Sequence, residues 1–433
     1  MPKGTLPLIV ALVFAIGFWG GWKWLISSPP PAKPSQDAGG GIASGDKGKS
    51  DGKTQQSKAK EKPRSRNKKE AFGTFQSSLP ENQFEEGELL VVDPPATFES
   101  GARQLGFTII EKVSLGELAM NLYRLRIPTG STTSQARQTL AGRFPGLTID
   151  VNQHFEAQAL KDYKDKTARP IAGWRAAKPT CGQGIRLGMV DNGVEVNHPA
   201  LKGQKVEFRS FHKKNRRPGP NDHGTAVAAI MVGKPEWGGL LPGAELKAAN
   251  MFEMNETGRV VGSSVGLLRA VNWLATKKVK VINMSVAGGD NKIVRKALDK
   301  IKKKHLVLVA AAGNWGSADR PAYPAAYKEV VAVTAFGEER RVYSKANRGH
   351  YIDFAAPGVR IYTAVARGGR VQSGTSFASP YVAVLIALEL ARGGEKSVDS
   401  LRKTLRDKVV DLGDPGKDDV YGWGFIDGAP ACR

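Results

Sequence analysis

Four short stretches carry side chains whose types could do chemistry together. "MVDNGVEVNHPAL" sets Asp191 at the end of an apolar run, and "NDHGTAVAAIMVG" sets His223 where an apolar helix begins. "AAAGNWG" sets Asn314 behind a run of alanine and glycine. "SGTSFASP" sets Ser376 at the start of a helix that is apolar almost all round. A serine hydroxyl is a poor nucleophile until a base takes its proton, and imidazole suits that task near neutral pH. The imidazole needs a carboxylate on its far nitrogen to hold the tautomer and balance its charge. The oxyanion that follows needs donors fixed in advance, which a carboxamide and a helix-start amide can supply. Taken alone, Ser376 is a helix cap. Taken with the other three, it is the nucleophile of a hydrolase.

Such residues need a frame that brings them together. From about residue 165, apolar runs of parallel-strand character ("IRLGMVD", "ELKAANMF", "VKVINMSV", "LVLVAAAGN", "EVVAVTAF") alternate with helical stretches such as "SSVGLLRAVNWLATKK". The pattern predicts an α/β fold, a doubly wound and mostly parallel sheet with its ligand site beyond the carboxyl ends of the strands. Asp191 closes the first run and Asn314 the fourth. Ahead of it, residues 81–160 predict βαββαβ, the split ferredoxin-like α+β plan, with no cluster of catalytic residue types.

The segments around Asp191, His223 and Ser376, in that chain order, resemble those of the subtilisin-like serine endopeptidases, the subtilases. The resemblance covers roughly residues 165–433 and includes the closing "YGWGFIDG". It implies a peptidase domain that hydrolyses polypeptides through an acyl-enzyme. Asp191 would orient, His223 would act as base and then acid, Ser376 would attack, and Asn314 would donate to the oxyanion. Sedolisin-type relatives would want acidic residues in place of His223 and Asn314.

The resemblance also implies a substrate-pairing wall at Ser285, Val286, Ala287 and Gly288, with Ala312, Gly313 and Ala322 lining the pocket. Ala287 and Ala322 stand where the family usually has glycine, so a shallow pocket for modest apolar side chains is expected. Phe377, Tyr381 and Val384 depart from the family pattern without removing a catalytic group. Residues 81–160 resemble the family's propeptide, an intramolecular chaperone and inhibitor whose tail lies along the active site. Self-cleavage would fall near Ala157 to Lys161. Ala200 replaces a calcium-binding aspartate, and "GKPEWGGLLPG" is short and poor in oxygen ligands. No cofactor or metal is therefore expected, and the tight family calcium site is predicted absent. His198 resembles a structural histidine, and no metal role is expected for His154, His212, His305 or His350.

The remaining features concern place and partners. Thr5 to Trp22 is an uncharged run long enough to span a bilayer, so residues 1–26 are expected to be a membrane anchor or signal segment. The chain would then be exported, facing the periplasm or cell exterior, or secreted after cleavage. Residues 27–80 are Pro-, Gly-, Ser- and Lys-rich, a disordered basic linker. The net charge of +23 invites a nucleic-acid reading. That linker holds eleven Lys and Arg against five Asp and Glu without structural periodicity, so a solvated tether is expected and no nucleic-acid partner. The basic stretch "FHKKNRRPGPND" is expected to be a solvated loop, with attraction of acidic substrates as the alternative. Cys181 and Cys432 either close nearly the whole C-terminal domain as a disulfide or stay two buried thiols. The competing functional reading is a catalytically silent binding protein on a protease fold.

Overall fold

The computed structural model describes residues 83–157, 177–302, 304–394 and 397–426. The expected anchor, the linker, the cleavage segment beyond Ala157 and Cys432 lie outside the described residues. No helix among the described residues is long and apolar enough to cross a membrane.

The first domain runs β1 (Phe84–Val92), α1 (Phe98–Gln104), β2 (Thr108–Leu115), β3 (Met120–Arg126), α2 (Thr133–Arg143) and β4 (Thr148–Ala157). Its strands pair antiparallel in the order β2-β3-β1-β4. Helix α2 opens on a capping box, in which Thr132 Oγ1 accepts from the Gln135 amide and the Gln135 side chain accepts from the Thr132 amide. Strand alternation divides β1 cleanly. Leu89 and Val91 pack with Phe98, Phe107, Leu125 and Leu140 beneath the domain's own helices. Leu90 and Val92 face the other way.

The second domain runs β5 (Arg186–Asp191), β6 (Lys205–Ser210), α3 (Asp222–Val232), β7 (Glu245–Asn250), β8 (Phe252–Met254), β9 (Val260–Ser263) and α4 (Ser264–Thr276). It continues through β10 (Val281–Met284), β11 (Val286–Gly288), α5 (Lys292–Lys302), β12 (Val307–Ala311), β13 (Val330–Phe336) and β14 (Phe354–Pro357). It ends with β15 (Ile361–Ala364), β16 (Gly369–Gln372), α6 (Thr375–Ala391), α7 (Val398–Arg406), β17 (Val409–Val410) and β18 (Phe425–Ile426). The main sheet has the order β17-β18-β14-β13-β12-β10-β5-β7-β6, parallel from β14 to β6.

Both faces of this sheet are covered, which is why its strands read as continuous apolar runs. Val307, Val309, Val331 and Val333 pack toward α3 and α6. Leu308, Ala310, Val330 and Ala332 pack toward α4 and α5. The expected doubly wound α/β sheet is therefore the observed one. The βαββαβ domain docks on the outside of α4 and α5. Leu90, Val92, Leu115, Leu118, Met120 and Leu122 share one apolar cluster with Leu267, Trp273 and Ile293. Burial of six such side chains is worth on the order of 10 kcal/mol before ordering costs.

Polar contacts set the docking register. The Asp150 carboxylate accepts from the Lys292 amide at 2.7 Å, at the start of α5. The Asn272 carboxamide oxygen accepts from the amides of Glu117 and Leu118.

Candidate active site

Asp191 is the last residue of β5, and His223 is the second residue of α3. They meet because α3 lies hard against the turn that follows β5. A Cβ at Gly224 would sit 2.4 Å from the Gly193 carbonyl and 2.5 Å from that of Asn192, so only glycine permits the approach. His223 Nδ1 lies 2.5 Å from Asp191 Oδ1, and Nε2 lies 2.9 Å from Ser376 Oγ. With Nδ1–H donating to the carboxylate, Nε2 is the acceptor facing the serine hydroxyl. Asp191 and Ser376 are fully buried, and His223 is nearly so. The ring of Phe377 packs against the imidazole with centroids 5.2 Å apart.

Ser376 is the second residue of α6, whose first turn offers amides to developing negative charge. Pro380 lies inside the same helix and has no N–H to return to the carbonyl four residues back. That carbonyl belongs to Ser376, and the Ser285 hydroxyl bonds it instead at 2.9 Å. Ser285 Oγ in turn accepts from the Asn283 carboxamide at 2.8 Å. Asn314 is locked from the neighbouring residue. Its Oδ1 accepts from both the amide and the hydroxyl of Thr375, at 3.1 and 2.9 Å. Thr375 Oγ1 also accepts from the Gly313 amide. With the oxygen end held, the Nδ2 end is the carboxamide's donor.

The carboxyl end of β4 runs between β9 and β11. It pairs antiparallel with β9 on one side, His154 opposite Ser263 and Phe155 opposite Gly262. On the other side it pairs with β11, placing Phe155, Glu156 and Ala157 opposite Gly288, Ala287 and Val286. Gly288 makes room for this passage. A Cβ there would stand 2.7 Å from the Phe155 ring and 2.8 Å from the His154 carbonyl. Ala157 ends on a cleft of about 430 Å³ shared with Asn192, His223, Arg259 and Arg370.

The structure thus brings Asp191, His223, Ser376 and Asn314 to one place, with Val286, Ala287 and Gly288 as the paired wall. Ser285 belongs to the same wall, but its side chain holds the nucleophile's backbone. Ala312 is buried and its carbonyl accepts from the Tyr351 hydroxyl at 2.7 Å. The Ala322 methyl is also buried and faces Gly313. His198 is structural in its contacts: Nδ1 accepts from the Ala200 amide and Nε2 donates to the Gly368 carbonyl. Ala200 itself is wholly within the core. Cys181 is disulfide-bonded, whereas Cys432 lies outside the described residues. Among the described residues no three His, Cys, Asp or Glu side chains gather as a metal site.

One expectation needs correction in part. In the basic stretch before His223, Lys214 and Arg217 are exposed, but Lys213 and Arg216 are not solvated. Lys213 and Arg216 are largely buried and reach across to Glu85 of β1, at 3.1 and 2.9 Å. Arg216 also pairs with Glu253 at 3.0 Å, and His154 Nε2 lies 3.1 Å from Glu85. Glu88 joins through Arg124 and Asn152. Burial alone would raise the Glu85 pKa, but the His154 contact and the Lys213 and Arg216 cations outweigh it. The carboxyl is held well below the usual carboxylate range. Glu88 shifts the same way despite its burial, held by Arg124 and Lys213.

Comparison with known proteins gives a family and a fold. Residues 182–424 match the model of the subtilase family of peptidases. The chain is 32% identical over 285 residues to the minor extracellular protease Epr of Bacillus subtilis, covering 64% of this chain and 42% of that protein. It is 31% identical over 264 residues to subtilisin DY of Bacillus licheniformis, covering 58% of this chain and 92% of that protein. A subtilisin-like protease of Arthroderma otae is 33% identical over 224 residues, of which the match spans 45% of its length. The chain therefore spans less than half the length of two of these curated relatives. The fold matches that of fervidolysin from Fervidobacterium pennivorans, a keratinolytic enzyme related to subtilisin. The TM-score is 0.65 at 20% identity, over 82% of this chain and 62% of that one.

Proposed function

The chain belongs to the subtilase family, and from that premise we propose that it is a serine endopeptidase restrained by its own βαββαβ domain. The observation that carries the proposal is the unbroken contact from Asp191 through His223 to Ser376, at 2.5 and 2.9 Å. His223 takes the Ser376 proton as Oγ attacks a peptide carbonyl, and Asp191 stabilises the imidazolium. The oxyanion is met by the Asn314 carboxamide and the Ser376 amide at the start of α6. Protonated His223 then delivers its proton to the leaving amine, and a water molecule activated by the same imidazole releases the acyl group.

The tail of β4 is read as an inhibitor in the substrate position, with self-cleavage beyond Ala157 freeing a peptidase domain that begins near residue 165. The apolar docking on α4 and α5 supports a complex that outlives this cut. The short pocket implied by Ala287 and Ala322 favours modest apolar side chains. The Thr5–Trp22 run, together with an extracellular Bacillus relative, supports export and a membrane tether. A reading as a silent binding protein is favoured by one observation, the occupied cleft. Purified full-length chain separates the two. An endopeptidase matures to a shorter form and then degrades an unfolded protein substrate, and Ser376→Ala does neither. Equal behaviour of the two chains would sink the endopeptidase reading.

A further inference from the structure

Beyond Phe155, whose ring is wholly buried, the tail of β4 carries a carboxylate that both walls of the cleft address. Arg259, the last residue of the turn into β9, places Nη2 3.4 Å from Glu156 Oε1. Trp315, directly after Asn314, donates its indole N–H to Glu156 Oε2 at 3.5 Å. The backbone of each is held. The Arg259 backbone closes a short loop on Asn255, its amide donating to Asn255 Oδ1 at 2.8 Å. The Trp315 amide is held by Asn347 at 2.9 Å, and the Arg320 guanidinium lies 3.9 Å over the Trp315 ring. The cleft that follows has a second guanidinium, Arg370. Of the two carboxylates lining that cleft, Glu156 and Asp222, the latter accepts from the Ala366 amide.

Because β4 is held by β9 and β11 on both edges, each of its side chains reports the subsite that a substrate in the same register would meet. We propose that Arg259, assisted by Trp315, is a specificity-determining residue that selects substrates with an acidic side chain immediately after the residue lodged at Gly288. This deepens the endopeptidase reading and rests on it. Acidic polypeptides are the substrate class it implies. Arg259 and Glu156 are both about half exposed, so the selection is a matter of several-fold rather than absolute.

The test uses peptides containing Phe-Glu-Ala, Phe-Gln-Ala or Phe-Lys-Ala, each followed by Gln-Ala-Leu-Lys, with the cut site mapped by mass spectrometry. Rates are divided by the fraction of molecules titrated by a fluorophosphonate, so a partly folded variant is still scored. Wild type is expected to cleave the Glu peptide about three- to ten-fold more efficiently than the Lys peptide, as kcat/KM. Arg259→Gln should remove that ratio and Arg259→Glu should invert it, with the Gln peptide changed least. An unchanged ratio in both variants overturns the role of Arg259 and leaves the endopeptidase reading intact. Failure of wild type to cut any of the three overturns the endopeptidase reading, and this proposal falls with it.

Discussion

The hydroxyl of Ser285 donates to the backbone carbonyl of Ser376 at 2.9 Å, occupying the place of the amide that Pro380 lacks. Without it the buried carbonyl of Ser376 keeps only the longer bond from the Ser379 hydroxyl at 3.5 Å, and an under-satisfied buried group costs up to about 1–3 kcal/mol. Ser285→Ala is therefore expected to lower stability by about that amount and to reduce kcat with little effect on KM. Thermal unfolding and steady-state kinetics check it. An unchanged melting temperature and kcat would show that the bond holds nothing.

Thr375 and Asn314 form a second such pair, on the oxyanion side. Asn314→Leu should lower kcat about 100- to 1000-fold with KM nearly constant, the magnitude measured for such a donor in subtilisin itself. Thr375→Val keeps the shape and removes the hydroxyl bond to the carboxamide oxygen, leaving it the bond from the residue 375 amide. It should move kcat in the same direction by a smaller factor. A loss confined to KM in either variant would place these residues in substrate binding rather than in transition-state stabilisation.

Acid should loosen the docking of the βαββαβ domain. The Glu85 pKa is lower folded than unfolded, so its contribution is fully present above the ordinary carboxylate range. It declines as pH falls below that range toward the depressed folded value. In the Ser376→Ala chain, the melting temperature should fall steeply between about pH 5 and pH 3. Glu85→Gln should start lower at neutral pH and fall less over the same interval. Parallel curves for the two proteins would remove Glu85 from the account.

Chelation and reduction should act differently. Ala200 packs in the core where the family's calcium site would need an oxygen, so EGTA is expected to leave the melting temperature unchanged. Reduction is expected to lower it, because Cys181 is disulfide-bonded and such a link is typically worth about 2–4 kcal/mol. Calorimetry with each reagent decides the matter. A large drop in EGTA would reveal a calcium site that the turn at Ala200 does not announce.

The candidate site was legible in part because a parallel sheet puts its loops at one edge, which carries Asp191 at the end of β5 and Asn314 beyond β12, with β10 between the two strands, to the same side. The glycines beside His223 and Asn314 marked close approach. The wall at 285–288 was legible only through its resemblance to the family's strand, and the chain's own tail pairs with it. Other contacts had no local signature. Arg216 and Glu85 are 131 residues apart, and nothing in the composition of "FHKKNRRPGPND" distinguishes a docked cation from a solvated one. The bond from Ser285 to Ser376 depends on a proline acting through helix geometry, so Ser285 read only as part of a pocket. The partner of Arg259 likewise became visible only once β4 was seen between β9 and β11.

The central claim is that Ser376 Oγ is activated by His223. A fluorophosphonate, which phosphonylates only an activated serine, tests it most directly on chains cut in trans by the wild-type protein, so that every variant is compared in one form, with the modified peptide identified by mass spectrometry. Labelling is expected at Ser376 and nowhere else, abolished in His223→Ala and strongly slowed in Asp191→Asn. Labelling that persists in His223→Ala at the wild-type rate, or maps to another residue, would contradict the account.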